Sequence, residues 1–316
     1  MDRIALNKVI NDLNLSILYK SNNFNNIYLE TLDINRPGLQ LNGHFDSFDD
    51  KRVQIIGEQE WYFLNEMTSE ERYNAVKKLF SCKIPAIIFM RNRWIHDEIV
   101  ELAKEMDITL LRTEETFSKF SIKFQNYMEI ELAPTIRMHG VLLDVYGVGV
   151  LIKGNSGVGK SETALDLISK GSKLISDDSV IIKRIDDRLI GKSPIITKHF
   201  MEIRGVGIID VEKIFGIGFV MDSKEVEMVV NLEPWDHEAE YDRLGIDNEY
   251  ETILDKKVVK FDIPVKPGRN SALIIEIATK NFKQKEQGYN PAEELNKRIL
   301  GYRLDWFHNV KWVLNK

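Results

Sequence analysis

The stretch GNSGVGKS, residues 154–161, decides how the chain is read. Gly154, four residues, then Gly159, Lys160 and Ser161 is the spacing of a phosphate-binding P-loop. Glycines let successive backbone N–H groups turn inward around an anion, and a helix that starts at the loop brings its positive end to the same place. On that logic Gly154, Asn155, Ser156, Gly157, Val158 and Gly159 wrap the phosphates of a nucleotide. Lys160 then reaches the β- and γ-phosphates, and the Ser161 hydroxyl holds magnesium. At average residue frequencies a chain of this length carries the pattern by chance about one time in a hundred. The surroundings also fit. The apolar strand VGVLIK precedes the loop, and a helix with Ala164, Leu165, Leu167 and Ile168 on one side follows it. Gly171 ends that helix in the left-handed conformation open to glycine.

A P-loop serves switches, motors and kinases alike, so the next clue is ISDDSV just beyond the helix. Asp177 and Asp178 close an apolar strand near where a carboxylate that orients magnesium belongs. Strict strand alternation sends the two side chains to opposite faces. If the strand bends there, one carboxylate serves the metal or its water and the other accepts a proton from an attacking hydroxyl. Rival motifs fail on their residues. GVGVLI and GVGIID lack the third glycine of a dinucleotide fingerprint, and HEAEY has Tyr241 where a zinc protease needs its second histidine. GNSGV has valine where a nucleophile elbow needs glycine. The six histidines have no metal-ligand spacing, so no zinc site is expected.

At 316 residues, 43% hydrophobic and 29% charged, the chain has the composition of a globular protein with room for two domains. A net charge of −6 argues against a broad grip on nucleic acid, which needs clustered cations. Cys82 is the single cysteine and cannot form an internal disulfide; it reads as a small buried side chain. No run approaches the roughly 18 apolar residues of a membrane span, and no signal peptide opens the chain. The expected address is the cytoplasm, with no membrane partner.

The alternation of strand and helix patterns predicts a small, mostly parallel α/β domain over residues 1–130. Its elements are a helix over 4–13, the strands RVQIIG, AIIF and ITLLR, and helices around Val76 and Ile99. Thr68 and Glu71 form a capping box, and Phe117, Phe120 and Phe124 form a core-facing stripe. No catalytic motif falls in it, and a regulatory or assembly role is expected. Pro134 interrupts the pattern, and residues 131–316 form a second, β-rich α/β domain that carries the P-loop. There VLLDVY and VGVLIK are strands around a Gly147 turn, and Asp186 and Asp187 make another tight turn. Asn290, Pro291 and Glu293 start a last helix.

Four separated blocks, MHGVLLDVYGVGVLIKGNSGVGKSETALDLISKG, then DD, MEIRGVGIIDV and PVKPGRN, closely resemble the HPr kinase/phosphorylase family. The resemblance implies a kinase domain like that of phosphoenolpyruvate carboxykinase. It also implies ATP- or pyrophosphate-dependent phosphorylation of a serine on the phosphocarrier protein HPr. The reverse phosphorolysis would use inorganic phosphate and release pyrophosphate. A cytoplasmic homohexamer acting in carbon catabolite regulation is implied as well. By the same resemblance His139 is an active-site histidine, and Asp178 is the base of the forward reaction and the acid of the reverse. Asp177 is its metal-side neighbour, Glu202 a magnesium contact and Arg243 a further active-site arginine. Arg204 and Gly205 belong to a segment both reactions need; Lys266, Pro267, Gly268 and Arg269 form the loop tied to phosphorolysis. Three residues depart from the family's usual pattern: Asn155 for aspartate, Met201 for leucine and Lys266 for arginine. The last loses the two-pronged fork of a guanidinium. On the P-loop alone two other readings stay open: a non-catalytic ATP sensor, and a kinase of a small hydroxylated metabolite.

Overall fold

The computed structural model describes residues 3–236, 249–266 and 268–300. The chain divides into two compact units, Met1–Ala133 and Pro134–Lys316.

The first unit is built on a five-stranded sheet in the order Ser16–Tyr19, Leu110–Arg112, Ile87–Phe89, Val53–Ile56, Ile34–Asn35. The last four strands are parallel, and Ser16–Tyr19 is an antiparallel edge. All four side chains of Val53–Ile56 and all three of Ile87–Phe89 are buried. Such fully buried runs belong to parallel strands covered on both faces. Alternate residues feed two cores. Ile55, Ile88 and Leu111 pack with Phe120, Phe124 and Met128 of the helix Phe117–Leu132. Ile56, Ile87 and Phe89 pack with Val76, Phe80, Ile99 and Leu102 on the opposite face. The expected capping box is present: Glu71 N–H donates to Thr68 Oγ1, and Thr68 N–H to Glu71 Oε2. One element differs from its expectation. Ile4–Ala5 is a short strand paired with Tyr28–Leu29, and the helix spans only Leu6–Asp12.

The second unit stacks helices on a six-stranded sheet, and that sheet on a four-stranded one. The larger runs Lys173–Ser176, Val141–Val145, Val148–Gly154, Met228–Pro234, Lys256–Val265, Glu249–Ile253. On one face Ile152, Val230 and Leu232 pack against Ala164, Leu167 and Ile168 of Lys160–Ser169, and against Ile275 and Phe282 of Ser271–Glu286. On the other, Leu142, Leu151 and Val229 meet Val180, Ile182 and Leu189 of the second sheet. That sheet runs Ser223–Glu225, Arg188–Lys192, Ser179–Ile185, Thr135–His139. The unit is thus the β-rich α/β fold expected. Gly171, at φ +104°, ends the P-loop helix as its sequence requires. Among the described residues no helix is long and apolar enough to cross a membrane.

Strand direction positions the functional residues. Val141–Val145 is antiparallel to both its neighbours, whereas Val148–Gly154, Met228–Pro234 and Lys256–Val265 are mutually parallel. Lys173–Ser176 therefore points the same way as those three. Four strands deliver their carboxyl ends to one edge, where ligands of open α/β sheets bind.

Candidate functional site

The loop after Val148–Gly154 is shaped by glycines that no other residue replaces cheaply. Gly154 has φ +140°, and a Cβ there would lie 2.3 Å from the Leu232 carbonyl oxygen of the adjacent strand. Gly157 has φ +84°, and its Cβ would lie 3.0 Å from Arg204 Nη1. Lys160, the first residue of the helix, is buried to 8% exposure. Its Nζ donates to the carbonyls of Gly154 (3.0 Å) and Asn155 (3.1 Å), which arches the loop over the ammonium group. The result is a concave run of backbone with a fixed positive charge beneath it, a receptor for a polyanion.

The two aspartates diverge. Asp177 follows Lys173–Ser176 directly and is buried. It accepts from Ser161 Oγ (3.1 Å) and from the Glu202 N–H (3.1 Å). Burial pushes its carboxyl above the ordinary aspartate range, against the opposing pull of those two hydrogen bonds. Asp178 takes φ +63°, a left-handed conformation that aspartate tolerates better than most residues. That single rotation ends the strand and sends the second carboxylate elsewhere. Its side chain is 79% exposed and lies 3.1 Å from His139 Nδ1. The Asp178 carbonyl accepts from the Gly140 N–H and sits 2.9 Å from the same His139 nitrogen. His139 ends the strand Thr135–His139, opposite Ser179 in the ladder, so the pairing of those strands sets the contact. One acid thus faces the P-loop serine and the other faces solvent.

Glu202 lies in the hairpin Phe200–Ile203 and Gly207–Asp210, which Met201 and Ile203 anchor in the core. Its backbone reaches Asp177, while its side chain is exposed. At the hairpin turn, where Gly205 has φ +82°, Arg204 Nη2 donates to Ser156 Oγ over 3.4 Å. The turn therefore lies against the P-loop.

Lys266 follows Lys256–Val265, whose Ile263 pairs with Leu232, itself paired with Gly154. Register alone thus brings the third loop to the P-loop edge. Lys266 Nζ lies 4.4 Å from the ring centroid of Trp235, and Arg269 Cζ lies 5.4 Å from it. A turn bond from Arg269 N–H to the Lys266 carbonyl and the positive φ of Gly268 fold the loop back over that ring. Trp235, just beyond Met228–Pro234, is the functional candidate that the sequence did not announce. A lone tryptophan after a strand has no motif, and only the parallel pairing reveals its neighbours. Arg243 and Pro267 lie outside the described residues.

Comparison with known proteins gives this edge its family. The model of the HPr serine kinase N terminus matches residues 4–128, and that of the HPr serine kinase C-terminal domain matches residues 130–299. The chain belongs to the HPr kinase/phosphorylase family. The HPr kinase/phosphorylase of Caldanaerobacter subterraneus is 46% identical over 301 residues, 95% of this chain and 98% of the relative. That of Lachnoclostridium phytofermentans is 44% identical over 300 residues, 95% and 97% of the two chains. A solved Hpr(Ser) kinase/phosphatase from Coxiella burnetii is 35% identical, covers 51% of this chain and 98% of its own, and superposes with a TM-score of 0.47.

Proposed function

We infer that the chain is a bifunctional HPr kinase/phosphorylase, a protein-serine phosphotransferase that also catalyses the reverse phosphorolysis. Family membership over almost the whole length supports the activity. The observation that carries the mechanism is the divergence of two adjacent carboxylates, one bonded to the P-loop serine and one beside a histidine in solvent.

ATP, or pyrophosphate, is the phosphoryl donor of this reading. The loop amides and Lys160 hold its terminal phosphates, and Arg204 at the loop rim offers a further cation. The donor set fits magnesium. Ser161 and Asp177 supply hard oxygens, and the buried Asp177 carboxylate is short of positive charge. When bound, the ion neutralises charge that builds up on the transferred phosphoryl group and its leaving oxygen. Glu202, its backbone already tied to Asp177, is the further acid to which we assign a metal contact.

In the forward direction the HPr serine hydroxyl attacks the terminal phosphorus in line. A new serine O–P bond forms as the bond to the leaving phosphate oxygen breaks, and Asp178 takes the hydroxyl proton. His139 holds that carboxylate toward the incoming chain, where its exposure leaves room for a protein substrate. In reverse, an oxygen of inorganic phosphate attacks phosphoserine, pyrophosphate forms, and Asp178 returns the proton to the serine oxygen. Lys266 and Arg269, arrayed on Trp235, are the cations we assign to the incoming phosphate, with Arg243 as another active-site arginine. The homohexamer that the family resemblance implies gives a use to Ile195, Ile196 and Ile208, which are 92%, 89% and 76% exposed. We read these side chains as covered by protein in that assembly.

The test is incubation with labelled ATP, magnesium and purified HPr, repeated with labelled pyrophosphate. Label on an HPr serine with both donors is expected. Nucleotide binding without transfer would leave a sensor, and transfer only to small hydroxylated compounds would leave a metabolite kinase.

A further inference from the structure

The carboxyl edge of the sheet in the first unit is as unusual as that of the second, and the mechanism makes no use of it. Three of its four parallel strands run into arginine. Arg36 follows Ile34–Asn35 directly, Arg91 and Arg93 follow Ile87–Phe89, and Arg112 is the last residue of Leu110–Arg112. The fourth, Val53–Ile56, runs into Gly57 and the helix Glu58–Glu66. Ladder register sets Ile56 beside Phe89 and Phe89 beside Arg112, so these ends lie level across the sheet.

Three of the guanidinium groups are held by rings or carboxylates. Arg93 stacks on Trp61 (4.7 Å to the centroid) and approaches Tyr62 (5.4 Å), while Arg36 stacks on Phe117 (4.8 Å). Their acidic partners are few. Glu58 lies 3.0 Å from Arg93 and 3.5 Å from Arg91, and Glu60 lies 2.9 Å from Arg36. The Nε atoms of Arg36, Arg93 and Arg112 are buried without a partner. Each guanidinium carries five N–H donors, and a buried unmatched donor is costly. Four arginines against these two glutamates leave a formal excess of about +2. The connecting loop is constrained too: Arg91 and Asn92 both have positive φ, 55° and 49°, and their N–H groups donate to the carbonyls of Glu115 and Thr113. Consecutive non-glycine residues in that region are held against their preference, as at ligand-binding loops.

We propose that this edge binds a phosphate monoester dianion through Arg36, Arg91, Arg93 and Arg112. The fork of each guanidinium matches phosphate oxygens, the excess charge matches a dianion, and aromatic stacking fixes two of the forks, those of Arg36 and Arg93, before the ligand arrives. The site is independent of the P-loop reading, since no residue is shared.

Hydrogen–deuterium exchange on the full chain reads the site locally, apart from phosphate bound at the P-loop. The probes at millimolar concentration are inorganic phosphate, glycerol 3-phosphate and adenosine 5′-monophosphate. Slower exchange over 57–63 and 90–96 is expected with at least one ester; the ester that acts separates a sugar-type from a nucleotide-type ligand. Arg91→Gln should weaken that protection about tenfold or more in probe concentration, the loss of one charged hydrogen-bonding partner. Arg36→Lys, which keeps charge but not the fork, should weaken it less than Arg36→Gln, with the thermal melt checking that each variant folds. Unchanged exchange in both segments with every probe, protection by inorganic phosphate alone, or protection that survives in a folded Arg91→Gln/Arg93→Gln variant would overturn the proposal.

Discussion

Replacing Asp178 by asparagine separates chemistry from folding with one atom. Asparagine accepts the left-handed conformation observed at φ +63°, whereas alanine there would add about 1–2 kcal/mol of backbone strain. The carboxylate is 79% exposed and its His139 partner 53%, so the lost contact is worth at most about 1 kcal/mol of stability. A change in melting temperature of a few degrees is the most that follows. Loss of a general base, by contrast, costs a factor of about 10²–10⁴ in turnover, or roughly 3–5 kcal/mol in the barrier. In the proposed mechanism the same residue handles the proton in both directions, so kinase and phosphorolysis rates should fall by similar factors. The assay is transfer of label to HPr from ATP and release of pyrophosphate from phosphoseryl-HPr, with nucleotide affinity measured in parallel. Turnover within a factor of three of the parent in either direction, in a variant that binds nucleotide normally, would refute the role of Asp178.

Asp177→Asn should act oppositely on stability. Because burial raises the folded-state pKa of Asp177, the parent loses stability as pH rises from the ordinary aspartate value through the raised one; the variant should melt at or above the parent near pH 7 and lose that advantage in acid, while transfer collapses. Gly154→Ala places a Cβ 2.3 Å from the Leu232 oxygen at φ +140°, so a cost of about 2–5 kcal/mol is expected in denaturant unfolding, together with loss of triphosphate affinity. Trp235→Ala removes the ring beneath Lys266 and Arg269; at about 0.5–2 kcal/mol for such contacts, KM for phosphate in phosphorolysis should rise roughly 2- to 30-fold with KM for ATP little changed, and Trp235→Phe should recover part of it.

What could be read from the chain follows from the range of the interactions involved. The P-loop is legible because eight consecutive residues carry its whole mechanism, and Gly154, Gly157 and Gly159 all take the positive φ that their spacing implies. The alternating units of the first domain are legible for the same reason. Ile87–Phe89 is apolar at every position and Val53–Ile56 at all but Gln54, a pattern that a strand covered on both faces requires. The amino terminus misleads because Leu6, Val9 and Ile10 do keep helical spacing. Ile4 lies off that stripe and buries itself through pairing with Leu29, a contact 25 residues away in sequence, so a strand takes the first two residues of the expected helix.

The aspartate pair shows where such reading stops. Alternation predicts opposite faces, and proximity to the loop predicts convergence; neither foresees that Asp178 leaves the strand in a left-handed turn while Asp177 stays inside. That turn is stabilised by bonds to the strand Thr135–His139, nearly forty residues earlier, so its cause is tertiary. Trp235, Lys266 and the P-loop likewise come to one edge only because Gly154, Leu232 and Ile263 share one register across three parallel strands. A shift of one residue in that ladder would turn every side chain to the other face and separate the cations from the loop. Residues that read as unrelated loop charges in sequence are thus brought to one edge of the sheet through strand pairing.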